Sequence, residues 1–312
     1  MRLRLRATRL AIAAGLIASL LAATPALAIT NGQPDGDDHP YVGQLFFYVP
    51  TAEDPRFTDP GAWFNCTGTL ISPTVVLTAG HCTFDTGRDG AAVGGDGSGG
   101  NDVWVSFDEV PDYDDIAAAP FIPDDNAGRY VHYSSTLDAR SSWHRGTSYQ
   151  HPDYDDAAFL LFDVGVVILD DPVVLDEYGV LPTLGLLDTF KGSLKKTVFN
   201  AVGYGLEQSS PQGDFGGDTR MISEQKIVNF NGVYGLGPNI AIVFSNNQGT
   251  PHRGGTCSGD SGGSFFVGGT NQIVAVNSFG VPPNCTGNDG AYRVDQPDDL
   301  DWLADVLAGD PR

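Results

Sequence analysis

From residue 29 onward the chain alternates short apolar runs with clusters of glycine, proline and aspartate. The runs cover 41–48, 67–71, 75–78, 103–107, 159–169, 198–202, 226–230, 240–244, 263–267 and 272–276. Short runs rich in β-branched and aromatic side chains, bounded by turn formers, predict strands rather than helices. The fold class expected from this pattern is all-β. Only the end has helical spacing: Pro297 opens it, Leu300, Leu303 and Leu307 repeat along it, and Gly309 can close it.

The first 28 residues follow a different pattern. Arg2, Arg4, Arg6 and Arg9 precede an apolar stretch over 10–23, and Ala26-Leu27-Ala28 supplies small residues for a cut. That order is the signature of an export signal, so the mature chain is expected to begin at Ile29 and to be secreted. The apolar stretch is short for a spanning helix and is soon followed by Pro25, which leaves a retained membrane anchor as the weaker alternative. No other segment is apolar enough to cross a bilayer.

The formal net charge is −22, and loss of the signal's arginines makes it more negative. Nucleic acid and anionic membranes are poor partners for such a surface. Four cysteines in an exported chain point to two disulfides, with three connectivities open. Zinc is the competing reading, but paired C-x-x-C spacing is missing. The Gly/Asp-rich stretch 85–101 is a surface loop by default. Its aspartates, with Asp112, Asp114 and Asp115, could ligate calcium, although the ordered spacing of a calcium loop is absent. No cofactor or metal is therefore expected, structural calcium being the minor alternative.

The candidate chemistry lies in two stretches. In Gly255-Thr256-Cys257-Ser258-Gly259-Asp260-Ser261-Gly262-Gly263, a serine sits among glycines, where backbone amides can crowd around it without Cβ interference. Such a turn can aim the amides of Gly259 and Ser261 at one point, as an oxyanion hole requires. A serine hydroxyl is a weak nucleophile alone and needs a histidine base oriented by a carboxylate. Leu77-Thr78-Ala79-Gly80-His81-Cys82 supplies the histidine. The bland alternative for either stretch is a Gly/Ser loop or a structural histidine.

Together the two stretches resemble the chymotrypsin/trypsin family of serine proteases, and the resemblance runs from Ile29 over nearly the whole chain. His81, an acid and Ser261 follow that family's chain order. The resemblance implies two six-stranded antiparallel Greek-key barrels with a C-terminal helix. One half, 29–180, would carry the histidine and aspartate, and the other, 181–312, the serine, together forming one monomeric peptidase domain. It also implies disulfides Cys66–Cys82 and Cys257–Cys285. Asn65-Cys66-Thr67 and Asn284-Cys285-Thr286 match the glycosylation sequon, but both asparagines adjoin these bridges, so the matches are read as accidental.

The family's acid matches Asp163, which leads into Val164-Gly165-Val166-Val167-Ile168-Leu169. Asp156, before Ala157-Ala158-Phe159, is the rival. Asp260 resembles the family aspartate that binds a freed N-terminal ammonium, here Ile29. Export would then activate the enzyme, unless the signal is cut earlier and a short pro-segment is trimmed later. Gly255, Gly280 and Gly290 match the family's pocket positions and imply a neutral pocket for aromatic or large aliphatic side chains. One residue of misalignment would bring Asp289 in and restore a preference for arginine or lysine. Ser278, Phe279 and Gly280 would receive an extended peptide. The expected partner is a protein or peptide substrate. The alternatives are an inactive homologue that binds through the cleft and an esterase.

Overall fold

A computed structural model describes residues 29–87, 100–112, 116, 123–194, 196–210, 213–230, 236–237, 239–247, 250–280 and 285–311. Residues 1–28, read above as an export signal, most of the Gly/Asp-rich stretch, Asp114, Asp115 and Asn284 lie outside the described residues.

The short strand β1 (Gln33–Pro34) precedes six strands that close a barrel. They are β2 (Val42–Val49), β3 (Ala62–Ser72), β4 (Val75–Thr78), β5 (Val103–Ser106), β6 (His144–Gln150) and β7 (Gly165–Leu169), in the order β2-β3-β4-β7-β6-β5. Leu45, Leu70, Val76, Leu77, Val105 and Val166 are fully buried in its core.

The second half holds β8 (Phe199–Gly203), the hairpin β9 (Leu206–Ser210) and β10 (Gly213–Gly216), then β11 (Met221–Gln225), β12 (Ile227–Asn229) and β13 (Ala241–Phe244). It ends with β14 (Ser264–Val267), β15 (Ile273–Gly280) and β16 (Asp289–Arg293). The sheet order is β1-β11-β8-β14-β15-β16-β13-β12. The strands near its two ends, β11 and β12, are separated in the chain by Lys226 alone. Counted as one bent strand, they give the second half six antiparallel strands in a half-barrel sheet, the counterpart of the first barrel. Phe244 stacks on Phe265 inside the second half at 3.9 Å, with Phe199 edge-on. Buried aromatic pairs of this kind contribute about 0.5–1.5 kcal/mol beyond area burial.

Arg220 joins the two halves. Its buried guanidinium pairs with Asp35 at 2.9 Å and donates to the carbonyls of Gly36, Val42 and Phe107 and to the Tyr204 hydroxyl.

Two elements depart from the sequence pattern. The helix α1 (Asn126–Asp138) was not expected, because its sequence carries few strong helix formers. Asp125 caps it through the Gly128 amide, Asp59 accepts from Asn126 and Ala127, and Tyr133 and Leu137 bury one face beside Trp104 and Trp143. Of the apolar run 159–169, only Gly165–Leu169 is strand. The helix α2 (Pro297–Leu307) is where its spacing predicts, with Gly309 beyond it at φ 96°. It buries Trp302, Leu303 and Val306, whereas Leu307 is exposed.

Candidate active site

Strand pairing brings His81 and Asp163 together. Thr78, the last residue of β4, pairs with Gly165, the first of β7. The chain beyond Thr78 and the chain before Gly165 therefore meet at the same barrel end. There the turn Gly80–Cys82 presents His81. Its amide donates to Asp163 Oδ1 at 2.9 Å, and its Nδ1 lies 3.0 Å from each carboxylate oxygen. The Ser278 hydroxyl donates to Asp163 Oδ2 at 2.5 Å. Asp163 is wholly buried, so these bonds replace water around its charge. Burial by itself would lower the His81 pKa; the Asp163 charge and hydrogen bond outweigh it and leave the pKa raised.

Asp156 stands elsewhere. It is exposed on the short turn Asp156–Ala158, with its carboxylate 3.4 Å from the Tyr154 hydroxyl, and acts on His81 only as a weaker, more remote charge.

The serine turn is fastened to the same barrel end. Thr67 donates its amide to the Ser261 carbonyl at 2.7 Å and its hydroxyl to the Gly259 carbonyl at 2.9 Å. Its neighbour Cys66 is bridged to Cys82, beside His81. Gly262, at φ 81°, packs so closely that a Cβ would stand 2.0 Å from Thr78 Oγ1 and 2.3 Å from the Thr67 carbonyl. Cys257–Cys285 ties the turn to the segment before β16.

Within the turn, the amides of Asp260, Gly262 and Gly263 bond to the carbonyls of Cys257, Asn277 and Asp260. The amides of Gly259 and Ser261 have no protein acceptor among the described residues. Gly259 reaches φ 98°, which glycine adopts without strain. This pair of free donors is the arrangement an oxyanion would need.

Asp260 is buried below the turn and accepts from the amides of Gly205 at 2.7 Å and Cys257 at 2.8 Å. It makes no ion pair among the described residues, and burial pushes its pKa up to about 7. Ile29 is fully buried in the second half's core. Thr30 anchors this segment through its amide to the Gly255 carbonyl at 2.9 Å, and its hydroxyl accepts from the Gly255 amide at 3.0 Å.

A cavity of about 220 Å³ opens beside Ser261, lined by Thr256, Ser258, Ser278, Phe279, Gly280 and Asp289 among others. The lining of this cavity differs in two positions from the one the resemblance implies. Gly255 and Gly290 are not on the cavity wall: Gly255 is engaged with Thr30, and the hydrogen side of Gly290 faces the Phe279 ring, 2.2 Å from a Cβ built there. The side chain on the wall is Asp289, whose Oδ2 accepts from the Thr256 amide at 2.9 Å and from Gln225 Nε2 at 2.6 Å. Burial, reinforced by Asp260, raises its pKa to about 7 against these two donors and the Thr256 hydroxyl. The pocket is thus not neutral in composition. Gln225 was missed altogether, since a lone glutamine at a strand end carries no motif.

A profile of the Trypsin family matches residues 132–302, more than half of the chain. Brachyurin of Leptuca pugilator is 28% identical over 245 residues, spanning 77% of this chain and 86% of that protein. Among solved structures, HL collagenase superposes with a TM-score of 0.60 at 18% identity, over 90% of this chain and 99% of its own. A mutant of human heparin binding protein (CAP37) gives 0.54 at 18%, over 90% and 97%. At those identities the structural likeness speaks for the fold.

Proposed function

The chain belongs to the trypsin family of serine endopeptidases, and from that premise we propose that His81, Asp163 and Ser261 are its catalytic triad. The observation that carries this reading is the buried Asp163 carboxylate, bonded to both the amide and Nδ1 of His81, with the Ser261 turn fastened to the same strands. Nδ1 held against a carboxylate leaves Nε2 to act as the base. His81 would take the Ser261 proton as the hydroxyl attacks the scissile carbonyl, then return it to the leaving amine. The free amides of Gly259 and Ser261 would receive the oxyanion. Water then hydrolyses the acyl-enzyme by the same steps.

The uncompensated Asp260 supports an activation step. Cutting after Ala28 would free the Ile29 amine, and its ammonium would neutralise this carboxylate and hold the Gly259 amide in place. Thr30, docked on Gly255, keeps that end of the chain close to the serine turn. With the basic and apolar pattern of residues 1–28 and two disulfides, this describes a secreted enzyme. No described helix is long and apolar enough to cross a membrane. Residues 29–180 and 181–312 act as the two halves of one monomeric peptidase unit.

Asp289 on the cavity wall favours arginine or lysine before the scissile bond over the neutral preference expected from the glycines. The substrate chain would run along 278–280 as an added strand. Profiling of cleavage sites on a peptide library tests this. Preference for arginine or lysine that disappears in Asp289→Asn is expected; a preference for phenylalanine or leucine unchanged by that substitution would overturn it.

A further inference from the structure

We propose that Gln225 is a positioning residue for Asp289 and makes the pocket's charge switchable, so that basic side chains enter only when Asp289 is ionised while uncharged ones enter in either state. This rests on the reading that the cavity beside Ser261 receives the side chain before the scissile bond.

Gln225 ends β11, behind the cavity, and is 1% exposed. Its Nε2 donates to Asp289 Oδ2 at 2.6 Å and lies 3.3 Å from Ser223 Oγ, while its Oε1 is buried with no partner among the described residues. A buried amide oxygen without a donor is costly and calls for a reason. Asp289 supplies one. An ionised carboxylate only accepts, and takes the Nε2 hydrogen; a protonated carboxyl donates, and a half-turn of the amide would offer it Oε1. The same side chain therefore serves both states of the acid.

Asp289 is arranged to change state. Gln225 Nε2 and the Thr256 amide both donate to Oδ2 and neither occupies Oδ1, while the Thr256 hydroxyl also bears on the carboxylate. Its cross-strand neighbours are Phe244 on β13 and Gly280 on β15, both uncharged, and β11 contributes the neutral Gln225 and Ser223. The charged group that faces it is Asp260 on the serine turn, of like sign. Burial and Asp260 together bring its pKa to about 7, within the range an exported enzyme meets. A guanidinium at Oδ1 would then bind the ionised form and release the proton to solvent when it arrives below that pH.

The test is the ratio of kcat/KM for two peptides that differ only in arginine or phenylalanine before the scissile bond, measured from pH 5.5 to 8.5. Taking the ratio cancels the titration of His81, which both substrates share. The ratio should rise by about tenfold per pH unit at the acid end and level off above the Asp289 pKa. Gln225→Met, similar in size but without a donor, should move the inflection upward by about one pH unit. Gln225→Glu, which adds a second carboxyl, should move it further. A ratio in the unsubstituted enzyme that is flat with pH overturns the inference without any variant. An inflection unmoved by either Gln225 substitution, but abolished by Asp289→Asn, overturns the role of Gln225 and leaves the pocket reading standing. A ratio indifferent to Asp289→Asn removes the pocket reading itself.

Discussion

Cutting the chain before Ile29 should stabilise it in a pH-dependent way, with Asp260 setting the size of the effect. In the uncut chain this carboxyl is raised by burial from 3.8 to about 7, with two amide donors and no cation among the described residues. It binds its proton more tightly folded than unfolded. Its contribution to stability is full below the unfolded value and is lost as pH rises through about 7. The difference amounts to roughly 4 kcal/mol given up by pH 8. An Ile29 ammonium beside Asp260 removes that loss until the ammonium itself deprotonates at alkaline pH. The assay is urea unfolding of a Ser261→Ala chain, uncut and cut after Ala28, from pH 4 to 8. The two forms should be nearly equal at pH 4 and differ by on the order of 4 kcal/mol near pH 8. Asp299, also raised, is common to both chains and cancels, whereas Asp289 and Glu207, raised in part by the Asp260 charge, widen the gap in the same sense. The reasoning fails if the gap does not vary with pH, or if it persists in Asp260→Asn.

Other substitutions probe the remaining parts. Asp163→Asn should lower kcat by on the order of 10⁴-fold by favouring the wrong histidine tautomer, whereas the exposed Asp156→Asn should stay within about threefold; steady-state kinetics on a peptide amide ranks them. Gly262→Ala places a Cβ at φ 81° and 2.0 Å from Thr78 Oγ1. It should cost about 2–3 kcal/mol in urea unfolding and remove most activity, although the nucleophile is untouched.

Much of the site was legible because its chemistry is carried by contiguous residues. Gly259 to Gly263 form a turn whose glycines are required by local φ and close contact, and such needs leave a local mark. His81 is similarly marked by the turn that follows β4. Asp163 was harder, since Asp156 has a comparable apolar tail; the Thr78–Gly165 register separates them, and register is not written in either segment alone. Which residue of the pair Asp289 and Gly290 lines the cavity is not legible for the same reason. Whether Asp289 or Gly290 faces the cavity depends on the irregular pairing of β15 with β16 between Asn277 and Phe279. The helix α1 escaped because a cap from Asp59, far away in sequence, and packing on Trp104 outweigh its weak local propensity.

Everything proposed for the site depends on Ser261 as the nucleophile, activated by His81. The most direct test is labelling of the chain cut after Ala28 with a fluorophosphonate, followed by mass mapping of the adduct. One phosphonyl group is expected on Ser261, absent in Ser261→Ala and strongly slowed in His81→Ala, with peptide hydrolysis lost in parallel. A label on another residue, or full hydrolysis by Ser261→Ala, would contradict it.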